Sequence, residues 1–167
     1  MKEQSYMFFK KQSGFTLIEL IIITGIILLL SGFITVNLLQ EQHKISVSSS
    51  VDTIISDISS QQTKAMAGDT NGSSSQSSYG IYFKSDSYVL FRGTVFSAND
   101  PSNFTVMLDN NITITSSFSN STLVFSIRSG QVNGFLDGSN TITIQSSSGP
   151  EKKTITINEL GIVKNIN

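Results

Sequence analysis

The first apolar segment of the chain is long and nearly uninterrupted, and it predicts a membrane-spanning helix. Residues 15–39 are almost wholly apolar. Their polar exceptions are Thr16, Glu19, Thr24, Ser31, Thr35 and Asn37. A helix of roughly 25 residues reaches about 37 Å at about 1.5 Å per residue. Because a bilayer core is about 30 Å thick, this segment is long enough to span it with some tilt.

Apolar residues then recur at intervals of three, four and seven, which predicts that the helix continues with one buried face. The apolar positions are Val47, Val51, Ile54, Ile55, Ile58 and Ala65. Polar residues occupy the positions between them, so this second half is expected to pack on a globular domain. Gly68 follows the last periodic residue, and glycine commonly ends a helix. We therefore predict one helix from about Phe15 to Ala67.

The rest of the chain alternates between apolar and polar residues and predicts strands. The alternating segments are 79–84, 87–93, 104–108, 112–116, 122–128, 141–145, 154–158 and 161–166. Turn-forming residues separate them, which is typical of an antiparallel sandwich or open sheet. Residues expected to face its core are Ile112, Ile114, Leu123, Phe125, Ile127, Ile142, Ile144, Ile155 and Ile157. The predicted fold class is α+β, a long N-terminal helix packed on an antiparallel β-sandwich.

Five segments follow from these patterns. They are an N-terminal piece at 1–14, the apolar helix at 15–39, its amphipathic continuation at 40–67, a Gly/Ser-rich linker at 68–78 and a β domain at 79–167. Lys2, Lys10 and Lys11 precede the apolar helix, so the N-terminus is expected to be cytoplasmic and the C-terminal domain outside. The apolar segment is longer than a signal-peptide core and no A-x-A site follows closely, so we expect it to remain as an anchor.

Composition offers little enzymatic chemistry. The 167 residues carry a net charge of −1, one histidine and no cysteine. Near-neutral charge argues against an intrinsic nucleic-acid coat, and the lack of cysteine excludes disulfides and thiolate metal sites. His43 has no serine or carboxylate placed to complete a hydrolytic set. We therefore expect no enzyme activity, no metal site and no cofactor.

Glu19 is the most unusual residue of the apolar segment. A carboxylate inside such a segment costs at least about 2.5 kcal/mol and is by default a candidate functional residue. A charge tolerated near the membrane surface is the alternative interpretation. If the chain were cut between Gly14 and Phe15, the new amine would lie four residues before Glu19. That amine and the carboxylate of a neighbouring copy could pair and set the stagger between two helices.

The segment "KKQSGFTLIE", residues 10–19, resembles the processing site of type IV pilins and type II secretion pseudopilins. The resemblance implies that a prepilin peptidase cuts after Gly14 and methylates the amine of Phe15, so that 1–14 is a leader. It implies that Glu19 guides subunit docking. The implied partners are other pilin or pseudopilin subunits, the peptidase, membrane lipid and an inner-membrane assembly platform. The implied location is a single pass of the inner membrane, then a filament outside it.

The remaining chain resembles the GspH/FimT group of minor pseudopilins. The residues that carry this likeness are "VDTIISDISSQQTKAMAGDTNG", "YGIYFKSDSYVLFRG", "LVFSIRSGQVNG" and "KTITINELGIVK". Two features depart from major pilins. No proline interrupts residues 15–39, so any loosening of the helix would have to use Gly25 or Gly32. No cysteine pair closes a C-terminal loop, which favours a minor subunit.

Two functions follow as hypotheses. The first is a structural subunit of a type IV pilus or a type II secretion pseudopilus. The second is a DNA-binding minor pilin for DNA uptake, which would use Lys152, Lys153 and Lys164. Phosphate contacts would make such binding strongly salt-dependent. The first hypothesis rests on Gly14, Glu19 and the length of the apolar helix, whereas the second rests on three lysines alone.

Overall fold

The computed structural model describes the backbone of residues 14–167 and the side chains of residues 14–32 and 44–167. It has one long helix followed by antiparallel sheets, which confirms the predicted α+β class. The chain divides into two compact units, one ending at Leu39 and the other spanning Gln40–Asn167. Apart from Gly14, the predicted leader lies outside the described residues.

Helix α1 extends from Leu17 to Ala67. In the first unit, every described side chain from 14 to 32 is exposed. Across the described part of the chain, no helix combines the length and apolarity expected of a membrane span. Side chains 33–39 of the predicted span lie outside the described ones.

In the second unit, α1 buries one stripe of side chains. The stripe consists of Val47, Val51, Ile54, Ile58, Gln61 and Ala65, spaced alternately four and three residues apart. This spacing keeps the stripe on one side of the helix. Ile55 is only half-buried at the margin. Gln61 is a polar member that the apolar periodicity did not predict.

The helix ends through a glycine in the left-handed conformation. Gly68 has a φ of 64°, its N–H donates to the Ala65 carbonyl at 3.1 Å, and the Asp69 N–H donates to the Lys64 carbonyl at 3.0 Å. This pair of bonds is the Schellman motif, which satisfies carbonyls that the last helical turn leaves free. The Gln62 side chain ties the same end to the β region, because its Nε2 donates to the carbonyls of Gly130 at 2.9 Å and Leu160 at 2.6 Å.

Eight strands follow within the described residues. They are β1 (Tyr79–Phe83), β2 (Ser87–Arg92), β3 (Phe104–Met107), β4 (Ile112–Ser116), β5 (Thr122–Phe125), β6 (Thr141–Ser146), β7 (Lys152–Ile157) and β8 (Val163–Ile166). One four-stranded sheet has the order β3-β2-β1-β5 and the other the order β4-β6-β7-β8. All neighbouring strands are antiparallel.

One core joins both sheets to the buried stripe of α1. Eight of the predicted core residues are buried: Ile112, Ile114, Leu123, Phe125, Ile142, Ile144, Ile155 and Ile157. The prediction for Ile127 was wrong, because that side chain is exposed. Strand β5 ends at Phe125, and the chain turns where Arg128 adopts a φ of 67°. Alternation in the sequence continues for two residues beyond the point where the strand stops.

Candidate functional site

The bond between Gly14 and Phe15 lies in open, non-helical backbone. Residues 14–16 precede α1, Gly14 is exposed, and the Phe15 side chain is 80% exposed. A Cβ added at Gly14 would meet no atom within 4 Å, and its φ is not positive. The described chain therefore gives Gly14 no steric or conformational reason to be glycine. A requirement for glycine here would have to come from a molecule that binds this segment.

Thr16 and Glu19 form the start of the helix. The Glu19 N–H donates to Thr16 Oγ1 at 3.3 Å, and the Leu20 N–H donates to the Thr16 carbonyl at 3.2 Å. Thr16 is thus the N-cap, and a Thr-x-x-Glu sequence is the pattern of a capping box. Sequence reasoning missed Thr16, although this four-residue spacing was visible. Glu19 also gains from the positive end of the helix dipole.

Apolar side chains surround the first part of α1 on all sides. The large exposed ones are Leu17, Ile18, Leu20, Ile21, Ile22, Ile23, Ile26, Ile27, Leu28, Leu29 and Leu30. The hydroxyls here are satisfied inside the helix, since Thr24 Oγ1 donates to the Leu20 carbonyl and Ser31 Oγ to the Ile27 carbonyl. Such internal bonds let a polar side chain leave water at low cost. This surface is suited to lipid or to other apolar helices.

Gly25 and Gly32, the candidate positions for helix flexibility, lie in this apolar part of α1. A Cβ added at either would meet nothing within 4 Å. Each costs the helix about 0.5–1 kcal/mol relative to alanine. Packing against the described residues does not explain either glycine, and their predicted role in loosening the helix stays a prediction.

The three lysines proposed to contact DNA are not brought together as one patch. Lys152 and Lys153 are consecutive residues of β7, so their side chains point to opposite faces of the sheet. Lys152 is exposed, whereas Lys153 is half-buried. Lys164 is exposed on β8. This arrangement gives no specific support to DNA binding, which stays a prediction.

The titratable groups of the second unit form one notable contact. Tyr88 is fully buried, and its hydroxyl donates to Asp57 Oδ2 at 2.5 Å. Burial, and then the bond to Asp57, raise the pKa of Tyr88 above its ordinary value of 10.0. Within the described residues, no group of three or more histidine, aspartate or glutamate side chains is placed to hold a metal ion. The side chain of His43 lies outside the described ones.

Comparison with known proteins gives one match. Residues 9–35 match the family model described as the prokaryotic N-terminal methylation motif. The matched segment contains Gly14, Phe15 and Glu19 together with the first part of α1. No curated protein and no solved structure matched the chain. The motif indicates a type IV pilin-like prepilin that a peptidase processes and that assembles with other pilins.

Proposed function

We propose that the chain is a minor pilin or pseudopilin, a non-enzymatic structural subunit of a filament of the type IV pilus or type II secretion kind. The observation that carries this proposal is the methylation motif over residues 9–35, which contains an exposed bond between Gly14 and Phe15. A peptidase cuts this bond and methylates the new amine on Phe15. The described residues give no reason for glycine at position 14, which supports recognition by an external enzyme.

The first part of α1 anchors the precursor in the inner membrane. The side chains of residues 17–32 are all exposed and mostly apolar, and the hydroxyls of Thr24 and Ser31 are bonded within the helix. A surface of this kind is unfavourable in water at about 25 cal/mol per Å2. Lys2, Lys10 and Lys11 orient the N-terminus to the cytoplasm. After cleavage, the same apolar surface packs against neighbouring helices.

Glu19 sets the register of that packing. Its carboxylate forms an ion pair with the Phe15 amine of a neighbouring subunit. That amine becomes available only after cleavage. In an apolar bundle, removal of one partner leaves an uncompensated charge, at a cost of about 3–5 kcal/mol. Capping of α1 by Thr16 fixes the backbone from which Glu19 extends.

Mass spectrometry of the protein recovered from its host tests the proposal directly. We expect an N-terminal Phe15 that carries one methyl group on its amine. A Gly14→Val variant should retain the leader, whereas Gly25→Ala, a matched glycine substitution inside the helix, should be processed normally. Recovery of wild-type protein that still begins at Met1 and enters no filament would overturn the proposal.

A further inference from the structure

A cleft of about 460 Å3 lies on the sheet of order β3-β2-β1-β5, within the second unit. Tyr82 of β1 and Val124 of β5 line it, and they alternate along their strands with Ile81 and Leu123 of the core. Because successive residues of a strand point to opposite faces, the cleft opens on the outer face of the sheet, which is turned away from the core. Its volume falls within the range of small-molecule sites, about 300–1,000 Å3.

The outer face of this sheet is apolar, although an antiparallel sheet with one side on the core commonly has a polar second side. Val89, Phe91 and Val124 are buried on the outer face and do not belong to the core. The Phe91 ring lies directly over β1, because a Cβ added at Gly80 would come within 2.6 Å of it. An apolar outer face is stable in water only if something covers it.

The connection between β2 and β3 supplies part of that cover through Phe96. The ring of Phe96 stacks on Tyr82 with the two centroids 4.2 Å apart, and it meets the edge of the Phe91 ring at 5.6 Å. The cleft is also lined by Val95 and Leu136, which are 78% and 57% exposed. The cleft therefore has an apolar wall that water still reaches and that a ligand with an apolar surface would cover.

Two side-chain amides supply hydrogen-bonding groups to the same cleft. Asn120 precedes β5, and its carbonyl accepts from Thr122 Oγ1 at 2.9 Å. The Asn133 N–H donates to the Val124 carbonyl at 2.8 Å, so the two residues flank β5. Their side-chain amides are exposed and have no hydrogen-bond partner among the described residues. Each amide can therefore donate to a ligand and accept from it.

The lining is also electrically neutral. Among the described residues, no charged side chain lines the cleft, and its other polar groups include the hydroxyls of Thr94, Ser119 and Ser139. A charged ligand would lose hydration here without gaining a counter-charge, which is costly. Hydroxyl and acetamido groups both donate and accept without charge, as the lining does. An apolar wall beside neutral polar groups complements a sugar ring, which has an apolar C–H face and a rim of hydroxyls.

We propose that this cleft binds a neutral saccharide. The apolar face of a sugar ring lies against Val95, Phe96 and Leu136. Its hydroxyl or acetamido groups bond to the amides of Asn120 and Asn133. An apolar peptide segment is the competing occupant, and the many neutral polar groups of the lining favour the saccharide. The inference is independent of cleavage and filament assembly, because the lining is confined to the second unit.

Nuclear magnetic resonance titration of the full chain tests the site in dodecylphosphocholine, a detergent without a sugar headgroup. The probes are N,N′-diacetylchitobiose, lactose and maltose. We expect at least one of them to shift the side-chain amide signals of Asn120 and Asn133 in a saturable way, while signals of core residues stay unchanged. Chitobiose, which carries ammonium groups in place of the acetamido groups, should bind at least about tenfold more weakly than N,N′-diacetylchitobiose.

Three results would overturn the proposal. The first is the absence of saturable shifts with all three neutral sugars. The second is equal binding of N,N′-diacetylchitobiose and chitobiose, because the site would then not select a neutral ligand. The third is tighter binding of N-acetyl-L-leucine methylamide than of any sugar, which would assign the cleft to an apolar peptide segment instead.

Substitutions locate the binding in this cleft. Asn133→Ala should weaken saccharide binding by about threefold to tenfold, whereas Asn110→Ala, at an exposed position outside the lining, should leave it unchanged. Leu136→Ser should weaken binding by at least about threefold, because it removes apolar contact area. Leu160→Ser is its control, since Leu160 is 52% exposed and lies outside the lining. Equal effects within either pair would overturn the assignment to this cleft.

Discussion

At the scale of single residues, Tyr88 shows how one buried hydroxyl links the helix to a sheet. Its ring is inside the core, and its hydroxyl bonds to Asp57 on α1 across 31 positions of sequence. Ionisation of Tyr88 would place a charge in the core beside a carboxylate. Burial and Asp57 therefore both hold the pKa of Tyr88 above its ordinary value.

Tyr88→Phe should lower the free energy of unfolding near pH 7 by about 1–2 kcal/mol, because Asp57 loses its donor. Above pH 10.0 the unfolded chain releases the Tyr88 proton while the folded chain keeps it. Wild-type stability should therefore fall as pH rises beyond that value, by up to about 1.4 kcal/mol per pH unit for this group.

Denaturant titrations of the full chain in detergent between pH 8 and about pH 11.5 measure this slope. Tyr88→Phe should give a shallower decline than wild type. A part of the slope should persist, since burial and then Asp69 also raise the pKa of Tyr79. An unchanged slope in Tyr88→Phe would contradict the assignment.

At the scale of elements, Gln62 holds the end of α1 against two loops. Its Nε2 bonds to Gly130 in the β5–β6 connection and to Leu160 in the β7–β8 connection, 68 and 98 positions away. The space is tight, because a Cβ added at Gly161 would come within 2.4 Å of Gln62 Nε2. These two hydrogen bonds hold the C-terminal end of α1 against both loops.

Gln62→Glu should reduce the free energy of unfolding by about 2 kcal/mol or more. The substitution replaces the donating amide by a carboxylate next to two carbonyl oxygens. Denaturation of the full chain measures the loss, with Gln131→Glu at an exposed position as the control for added charge. A loss in Gln62→Glu no larger than in that control would contradict the role of the amide.

The elements themselves were largely predictable, whereas their pairing was not. All eight alternating segments contain strands, because period-two alternation directly reflects one buried face of a sheet. The prediction that Ile127 faces the core was wrong, because the alternating sequence pattern does not show that the chain turns at Arg128. The pairing of β1 with β5, across about forty residues, depends on the whole core rather than on either strand.

The residues of functional interest also differ in how far the sequence could predict them. Gly14, Phe15 and Glu19 could be proposed from the sequence because they lie in one contiguous motif. The burial of Gln61 was missed because it is a property of the folded structure. A single polar residue at a helical spacing of three or four is not distinguishable by sequence from one on the solvent face. Its burial follows from the register against the sheets.

At the scale of the whole molecule, Glu19 has two candidate roles that an assay of filament assembly can distinguish. One role is local, because Thr16 caps α1 by accepting from the Glu19 N–H, and Thr-x-x-Glu is the sequence pattern of a capping box. The other is the proposed intermolecular role, in which the carboxylate would pair with the Phe15 amine of a neighbour. Glutamine is as suitable as glutamate at this position of a capping box but carries no charge.

Glu19→Gln should therefore leave helix formation and cleavage after Gly14 intact while it abolishes assembly. Loss of an ion pair in an apolar bundle, about 3–5 kcal/mol, corresponds to a decrease of more than about a hundredfold in subunit association. Mass spectrometry of the N-terminus reports cleavage, and the amount of the variant in sheared filaments reports assembly. Thr16→Val is the matched control, because it removes the cap and keeps the charge. If Thr16→Val loses assembly while Glu19→Gln retains it, Glu19 acts through the start of the helix and not through a contact between subunits.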